Sequence, residues 1–141
     1  MGSQTGTAGR KAERFVEALR RLEDGRDAED LIALHADNCE VGNVVSPEKF
    51  AGREGAREFW TKYRDTFGEV RSEFRNRVEA GDVVALEWTT AGTSAGGTSI
   101  SYDGVSLIEF EGGLVTRFRA YFNAEDLSRQ LTGEGRAAGA R

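Results

Sequence analysis

Residues 98–122 read TSISYDGVSLIEFEGGLVTRFRAYF. In the first half, Tyr102, Gly104, Ser106 and Ile108 share one side of an extended chain. In the second half, Phe118, Ala120 and Phe122 do the same. A period of two, interrupted by the pair Gly112-Gly113, predicts two strands joined by a tight turn. The same alternation continues upstream over 83–93 and 69–79, where Trp88 and Thr90 share one face and Glu87 and Thr89 the other. Ala80-Gly81-Asp82 and the Gly-rich residues 94–97 separate these runs, as turn residues do. Four hairpin-linked strands are therefore expected, at 69–79, 83–93, 98–111 and 114–122.

Before Gly68 the period is helical. Phe15, Val16, Leu19 and Leu22 recur at three- and four-residue spacing and predict a helix over 10–23, with Gly25 as its stop. A second helix is expected over 27–37, on Ala28, Leu31, Ile32 and Leu34. A third, from about residue 53 to the stop at Gly68, carries Ala56, Phe59, Trp60, Tyr63 and Phe67 inward. Between them, 39–41 reads as a short strand and 44–47 as a loop, and a short helix over 124–131 closes the chain. Helices followed by hairpin-linked strands predict an α+β fold, with the helices on one face of an antiparallel sheet. Residues 1–9 and 132–141 are rich in small and polar residues and have little to bury, so they read as a disordered lead-in and tail around one domain, 10–131.

Bulk properties exclude several functions. The 141 residues carry a net charge of -5, and basic residues alternate with acids, as in Arg71-Ser72-Glu73-Phe74-Arg75, so no stripe forms for nucleic acid. No apolar run is long enough for a membrane span. The single cysteine, Cys39, excludes an internal disulfide and suits a reducing compartment, so a cytoplasmic location is expected. No metal site is expected, because one His and one Cys cannot complete a tetrahedral centre, and no cofactor is expected either.

The strand faces are less apolar than a plain core. Aromatic, hydroxyl and small residues are mixed, which fits either small residues admitting large neighbours or a cavity with a few polar points. The order of elements adds a family likeness. His35-Ala36-Asp37-Asn38-Cys39-Glu40-Val41 ahead of Phe50-Ala51-Gly52-Arg53-Glu54-Gly55, then Gly104–Phe110 leading through Gly112-Gly113 to residues 118–122, resembles the NTF2-like superfamily. Its ketosteroid isomerases, limonene-type epoxide hydrolases and SnoaL-like polyketide cyclases are the branches concerned. The resemblance covers roughly residues 10–131 and implies a cone-shaped, curved antiparallel sheet that encloses a pocket with three N-terminal helices.

Aligned residue by residue, the acid/base groups of those branches are replaced. The isomerase base, tyrosine and acid positions hold Asn43, Phe15 and Ser106, and an amide takes no proton at neutral pH. For the epoxide hydrolases Asn43 matches, but the tyrosine position is Val41, the Arg-x-Asp positions are Trp88 and Thr90, and the last-strand Asp is Ala120. The cyclases' last-strand carboxylate is likewise absent, with Asn123 just beyond Phe122. The resemblance therefore points to ring closure of a flexible polyketide or polyene, driven by shape and hydrogen bonds. An epoxide hydrolase or isomerase, and a non-catalytic carrier of hydrophobic ligands, are the alternatives. Asn43, Tyr63, Tyr102 and Ser106 are the candidate catalytic residues. Phe15, Trp60, Trp88, Thr90, Phe118, Ala120 and Phe122 are the candidate ligand contacts, for a hydrophobic small molecule.

Several residues carry two readings. Asn43 serves the site or fixes the turn before Pro47. His35 packs near the end of the second helix or enters the pocket. Glu73 and Glu87 face water or, if buried, restore acid/base chemistry. Gly96-Gly97 makes a turn or a flap. Arginines 71, 75, 77, 117 and 119, set against Glu73, Glu87, Glu109 and Glu111, give the outer sheet face a charged character that suits a homodimer through the sheet.

Overall fold

Gly112 and Gly113 adopt φ of 60° and 88°, values that cost a side-chain-bearing residue strain, and so fold the chain back within two residues. The hairpin they join is β5 (Ser99–Glu111) and β6 (Leu114–Phe122), with Ser106 opposite Ala120 and Ile108 opposite Phe118. A computed structural model describes residues 2–45 and 50–132, with side chains from Arg10 onward. Its elements run α1 (Gly2–Gly25), α2 (Glu29–Ala33), β1 (His35–Asn43), β2 (Phe50–Ala51), α3 (Gly52–Asp65), β3 (Phe67–Ala80), β4 (Val83–Ser94), β5, β6 and α4 (Ala124–Thr132). The α+β class is as expected, with a curved six-stranded sheet ordered β2-β1-β6-β5-β4-β3.

All pairs are antiparallel except one. β1 runs parallel to β6, with Val41 beside Phe118 and Asn43 beside Ala120. Register shifts interrupt β1, β3 and β5, at His35/Glu40, Phe67/Val70, Phe74/Asn76 and Glu109/Phe110. Such irregularities bend a strand and raise its twist, which lets the sheet curl round the helices.

The N-terminal half departs from the sequence expectation in several places; α3 ends at Asp65, and Phe67, expected as an inward residue of that helix, opens β3 instead. The left-handed residue that ends α1 is Arg26, at φ 60°, rather than Gly25. Its backbone N–H still reaches Leu22 O at 2.9 Å, and its guanidinium donates to Gly68 O at 3.4 Å. The second helix stops at Ala33, and His35 opens β1 instead of lying in that helix. Backbone pairing decides this: Val115 N donates to Leu34 O at 2.7 Å, drawing the chain into the sheet beside β6. Finally, α1 begins at Gly2, whereas the first helix was expected from residue 10 and residues 1–9 as a lead-in. Residues 133–141 of the expected tail, and 46–49, which include the second half of the loop expected over 44–47, lie outside the described residues.

The core lies between the helices and the concave sheet face. α1 buries Ala12, Phe15, Leu19 and Leu22, and α3 buries Ala56, Phe59 and Trp60. α4 is capped by the preceding residue, Asn123, whose Oδ1 accepts the Asp126 N–H at 2.9 Å. It docks through Gln130, whose amide accepts from Ser101 N and donates to Ser101 O (2.9 and 3.0 Å) where β6 no longer covers β5. On the convex face Arg75 pairs with Glu87 and Asp103, and Arg117 and Arg119 both approach Glu109. Val78, Val83, Val105 and Tyr121 are exposed hydrophobics of the strands.

Candidate active site: an aromatic cavity with a buried carboxylate behind it

Residues two apart on a strand share a face, so the inward positions of β4, β5 and β6 converge under α1 and α3. They enclose a cavity of about 460 Å³, a size suited to a small organic ligand. Each of Asn43, Tyr63, Tyr102, Ser106, Phe15, Trp60, Trp88, Thr90, Phe118, Ala120 and Phe122 lines it. α4 closes one end with Leu127 and Leu131, and Lys62 of α3 also lines the space, its side chain 67% exposed.

The walls are held by ring packing. Trp60 meets Phe118 edge-on at 4.9 Å between centroids, and Phe15 stacks on Phe118 at 5.6 Å. Tyr102 packs edge-on against Trp88 (5.4 Å) and Phe122 (5.2 Å). Gly104 makes this possible. A Cβ there would lie 2.5 Å from the Trp88 ring, so only glycine lets the indole lie on β5. From that position Trp88 Nε1–H donates to Ser106 Oγ at 2.9 Å. Among the described residues neither the Ser106 hydroxyl nor the Tyr102 hydroxyl has an acceptor, so both can donate to a ligand. Burial, then the charge of Glu23, pushes the Tyr102 pKa up, which keeps it a donor.

At the α1 end of the cavity lies a group that sequence reasoning passed over. Glu23 is 2% exposed and does not itself line the space. Three donors converge on its carboxylate: Ser72 N–H on Oε1 (2.9 Å), and Ser72 Oγ (2.6 Å) and Tyr63 OH (2.7 Å) on Oε2. Thr90 Oγ1 then sits 2.6 Å from Ser72 Oγ. Helical arithmetic held the clue, since Glu23 follows Phe15 by eight residues and Leu19 by four, on the face that α1 buries. Buried Arg64 closes the adjoining chain ends, donating to Leu22 O, Phe67 O and Gly68 O at 3.1 to 3.2 Å. Burial, followed by Glu23, raises the Tyr63 pKa well above that of a free tyrosine.

The other two-way residues settle as follows. His35 is fully buried behind the cavity wall. Its Nδ1 bonds Leu31 O at 2.8 Å, so this nitrogen carries the hydrogen, and Nε2 accepts from Trp60 Nε1–H at 3.2 Å. Burial pushes its pKa down to about 4. Asn43 lines the cavity, and its Oδ1 also accepts the Val45 N–H at 2.9 Å, a local turn. Glu73 is exposed, and Glu87 bonds Arg75 and Asn76 on the convex side, so neither reaches the cavity. Cys39 is buried, its thiol pKa raised by burial. Among the described residues no three His, Cys, Asp or Glu side chains gather as a metal site.

Solved structures share this architecture. An NTF2-like protein of unknown function from Burkholderia pseudomallei superposes with a TM-score of 0.79 at 20% identity, over 89% of this chain and 98% of that one. A protein from Rhodopseudomonas palustris, provisionally described as an isomerase, matches at 0.77 and 23%, over 87% and 96%. One from Jannaschia, provisionally described as a SnoaL-like polyketide cyclase, matches at 0.72 and 18%, over 85% and 92%. No curated protein matches the chain. The model of the SnoaL-like domain matches residues 12–118, a span that holds α1 from Ala12 onward, α2, α3, the strands up to Phe118 and the Glu23 cluster, and so the chain belongs to the SnoaL-like domain family.

Proposed function

We propose that this protein is a cyclase of natural-product biosynthesis that folds a flexible, hydrophobic polyketide-like substrate for intramolecular ring closure without a cofactor. One observation carries the reading. The cavity is walled by aromatics packed mostly edge-on, while Ser106 and Tyr102 present hydroxyl hydrogens to its interior. Aromatic walls restrict the chain conformations of a bound polyene or polyketide, and holding reacting carbons together lowers the barrier. A hydroxyl donor aimed at a carbonyl stabilises the negative charge that develops on its oxygen. Cytoplasmic residence, where Cys39 stays a thiol, belongs to the same proposal.

The test is mass spectrometry on linear polyketide and polyene substrates. The expected product is a cyclised isomer of unchanged mass, with kcat lowered about tenfold or more in Ser106→Ala and in Tyr102→Phe. Addition of one water would point to an epoxide hydrolase instead. Tight retention of a ligand without conversion would favour a carrier, a reading supported by Glu23 lying behind Tyr63 and Ser72, out of direct reach of the cavity.

We assign the convex sheet face to a second copy of the chain. Exposed Val83, Val105 and Tyr121 stand beside Glu109, Arg117 and Arg119, a mix of apolar and paired charge suited to a self-complementary contact. Sedimentation of the wild type should give a dimer, and Val105→Glu with Tyr121→Glu a monomer. A monomeric wild type removes the assignment.

A further inference from the structure

Hydrogen bonds have a direction, and at the α1 end of the cavity Glu23 sets it. A carboxylate only accepts. Tyr63 therefore spends its hydroxyl hydrogen on Glu23 Oε2, and Ser72 spends its own on the same oxygen. Ser72 Oγ, having donated once, must be the acceptor in its 2.6 Å contact with Thr90 Oγ1, so Thr90 spends its hydrogen too. Three hydroxyls that each have a donor and an acceptor side thus have their donor sides used up within the protein. What Tyr63, Ser72 and Thr90 can offer the cavity is oxygen lone pairs. Beside Thr90, on the paired position of β5, Tyr102 has a hydroxyl hydrogen without an acceptor among the described residues.

We propose that this Glu23-backed cluster is a subsite for a ligand hydroxyl — a phenol, enol or alcohol — and that Glu23 is the residue that makes the subsite reject a carbonyl or ether in its place. A hydroxyl donates to the oxygens of Thr90 or Tyr63 and accepts from Tyr102. A carbonyl or ether oxygen only accepts, and leaves the lone pairs facing it unmatched beside the buried Ser72 and Thr90. Ser106, four residues further along β5, has its acceptor side taken by Trp88 and its hydrogen unspent, so the carbonyl end of a ligand belongs there. The substrate enters in one orientation, hydroxyl towards α1 and carbonyl towards β6. The inference rests on the cavity binding a small molecule, not on ring closure.

Binding of 6-acetyl-2-naphthol and of its methyl ether, 6-acetyl-2-methoxynaphthalene, to the purified protein tests it by fluorescence titration. The naphthol should bind the wild type about tenfold more tightly than the ether. In Glu23→Gln the amide NH2 donates to Tyr63 and Ser72, which reverses every hydroxyl in the chain and turns hydrogens towards the cavity. The preference should then fall to about unity or invert. Thr90→Val keeps Glu23 and its bonds in place, removes one acceptor, and should lower the preference about threefold even if Glu23→Gln fails to fold. Equal binding of both probes to the wild type overturns the subsite while leaving the small-molecule cavity standing. A preference that survives in Thr90→Val and in a cooperatively folded Glu23→Gln also overturns it. Binding of neither probe overturns the subsite and the proposed function together.

Discussion

Lowering the pH from 7 to 5 should cost the folded protein about 2 kcal/mol through His35 alone. It is the only histidine in the chain. In the unfolded chain its imidazole titrates near 6.5, whereas in the fold burial holds it down to about 4. Between those values the unfolded state binds a proton that the folded state refuses, so stability rises with pH and is lost as pH falls below 6.5. The loss is complete near pH 4, at about 3 kcal/mol, but carboxylates join the titration there. The window from 6.5 to 5 isolates the histidine. The physical cause is local. With Leu31 O on Nδ1–H and the Trp60 N–H pointing at Nε2, a second proton would set two donors against each other in a site that water does not reach, with the Arg53 guanidinium adding repulsion. Urea titrations at pH 7 and pH 5 read the effect. The wild type should lose about 2 kcal/mol and His35→Gln less than about 0.5. An equal loss in both would place the acid sensitivity elsewhere.

Removing the Glu23 carboxylate should be the most damaging single truncation in the polar network, at about 3–5 kcal/mol for Glu23→Ala. Three donors lose their acceptor at once, and the Ser72 backbone N–H sits mid-strand without an alternative. Against the roughly 5–15 kcal/mol total stability of an ordinary domain, that is a large fraction. Glu23→Gln should lose only about 1–2 kcal/mol, because an amide still accepts from Ser72 N–H while its NH2 serves the two hydroxyl oxygens. Urea midpoints of the two variants against wild type measure both. A loss below about 1 kcal/mol in Glu23→Ala would mean that water replaces the carboxylate and that the cluster is open to solvent.

Much of this architecture was legible residue by residue. The alternation in 83–93, 98–111 and 114–122 placed Trp88, Tyr102, Ser106, Phe118 and Ala120 on one face, and these residues line the cavity. Such a reading works because side-chain direction on a strand depends only on parity, and on a helix only on spacing. It weakens where pairing partners decide the outcome. His35 follows an apolar helical pattern, yet β6 captures the chain at Leu34 and starts a strand there. The Phe50–Ala51 strand is two residues long, too short to leave a period, and exists because β1 offers it an edge.

Glu23 marks the boundary between the two kinds of knowledge. Spacing on α1 puts it on the buried face, and a carboxylate there is costly unless something satisfies it. Only the tertiary fold brings Tyr63 from 40 residues away and Ser72 from 49 to do so. The sequence by itself determined the parity of each strand, the inward stripe of each helix, and therefore the aromatic lining of the cavity. The tertiary structure alone decided the parallel β1–β6 pairing, the partners that Glu87 meets in Arg75 and Asn76, and the direction of every hydrogen bond around Glu23. Parity and spacing are properties of one segment, whereas the matching of donors to acceptors depends on which distant segments meet.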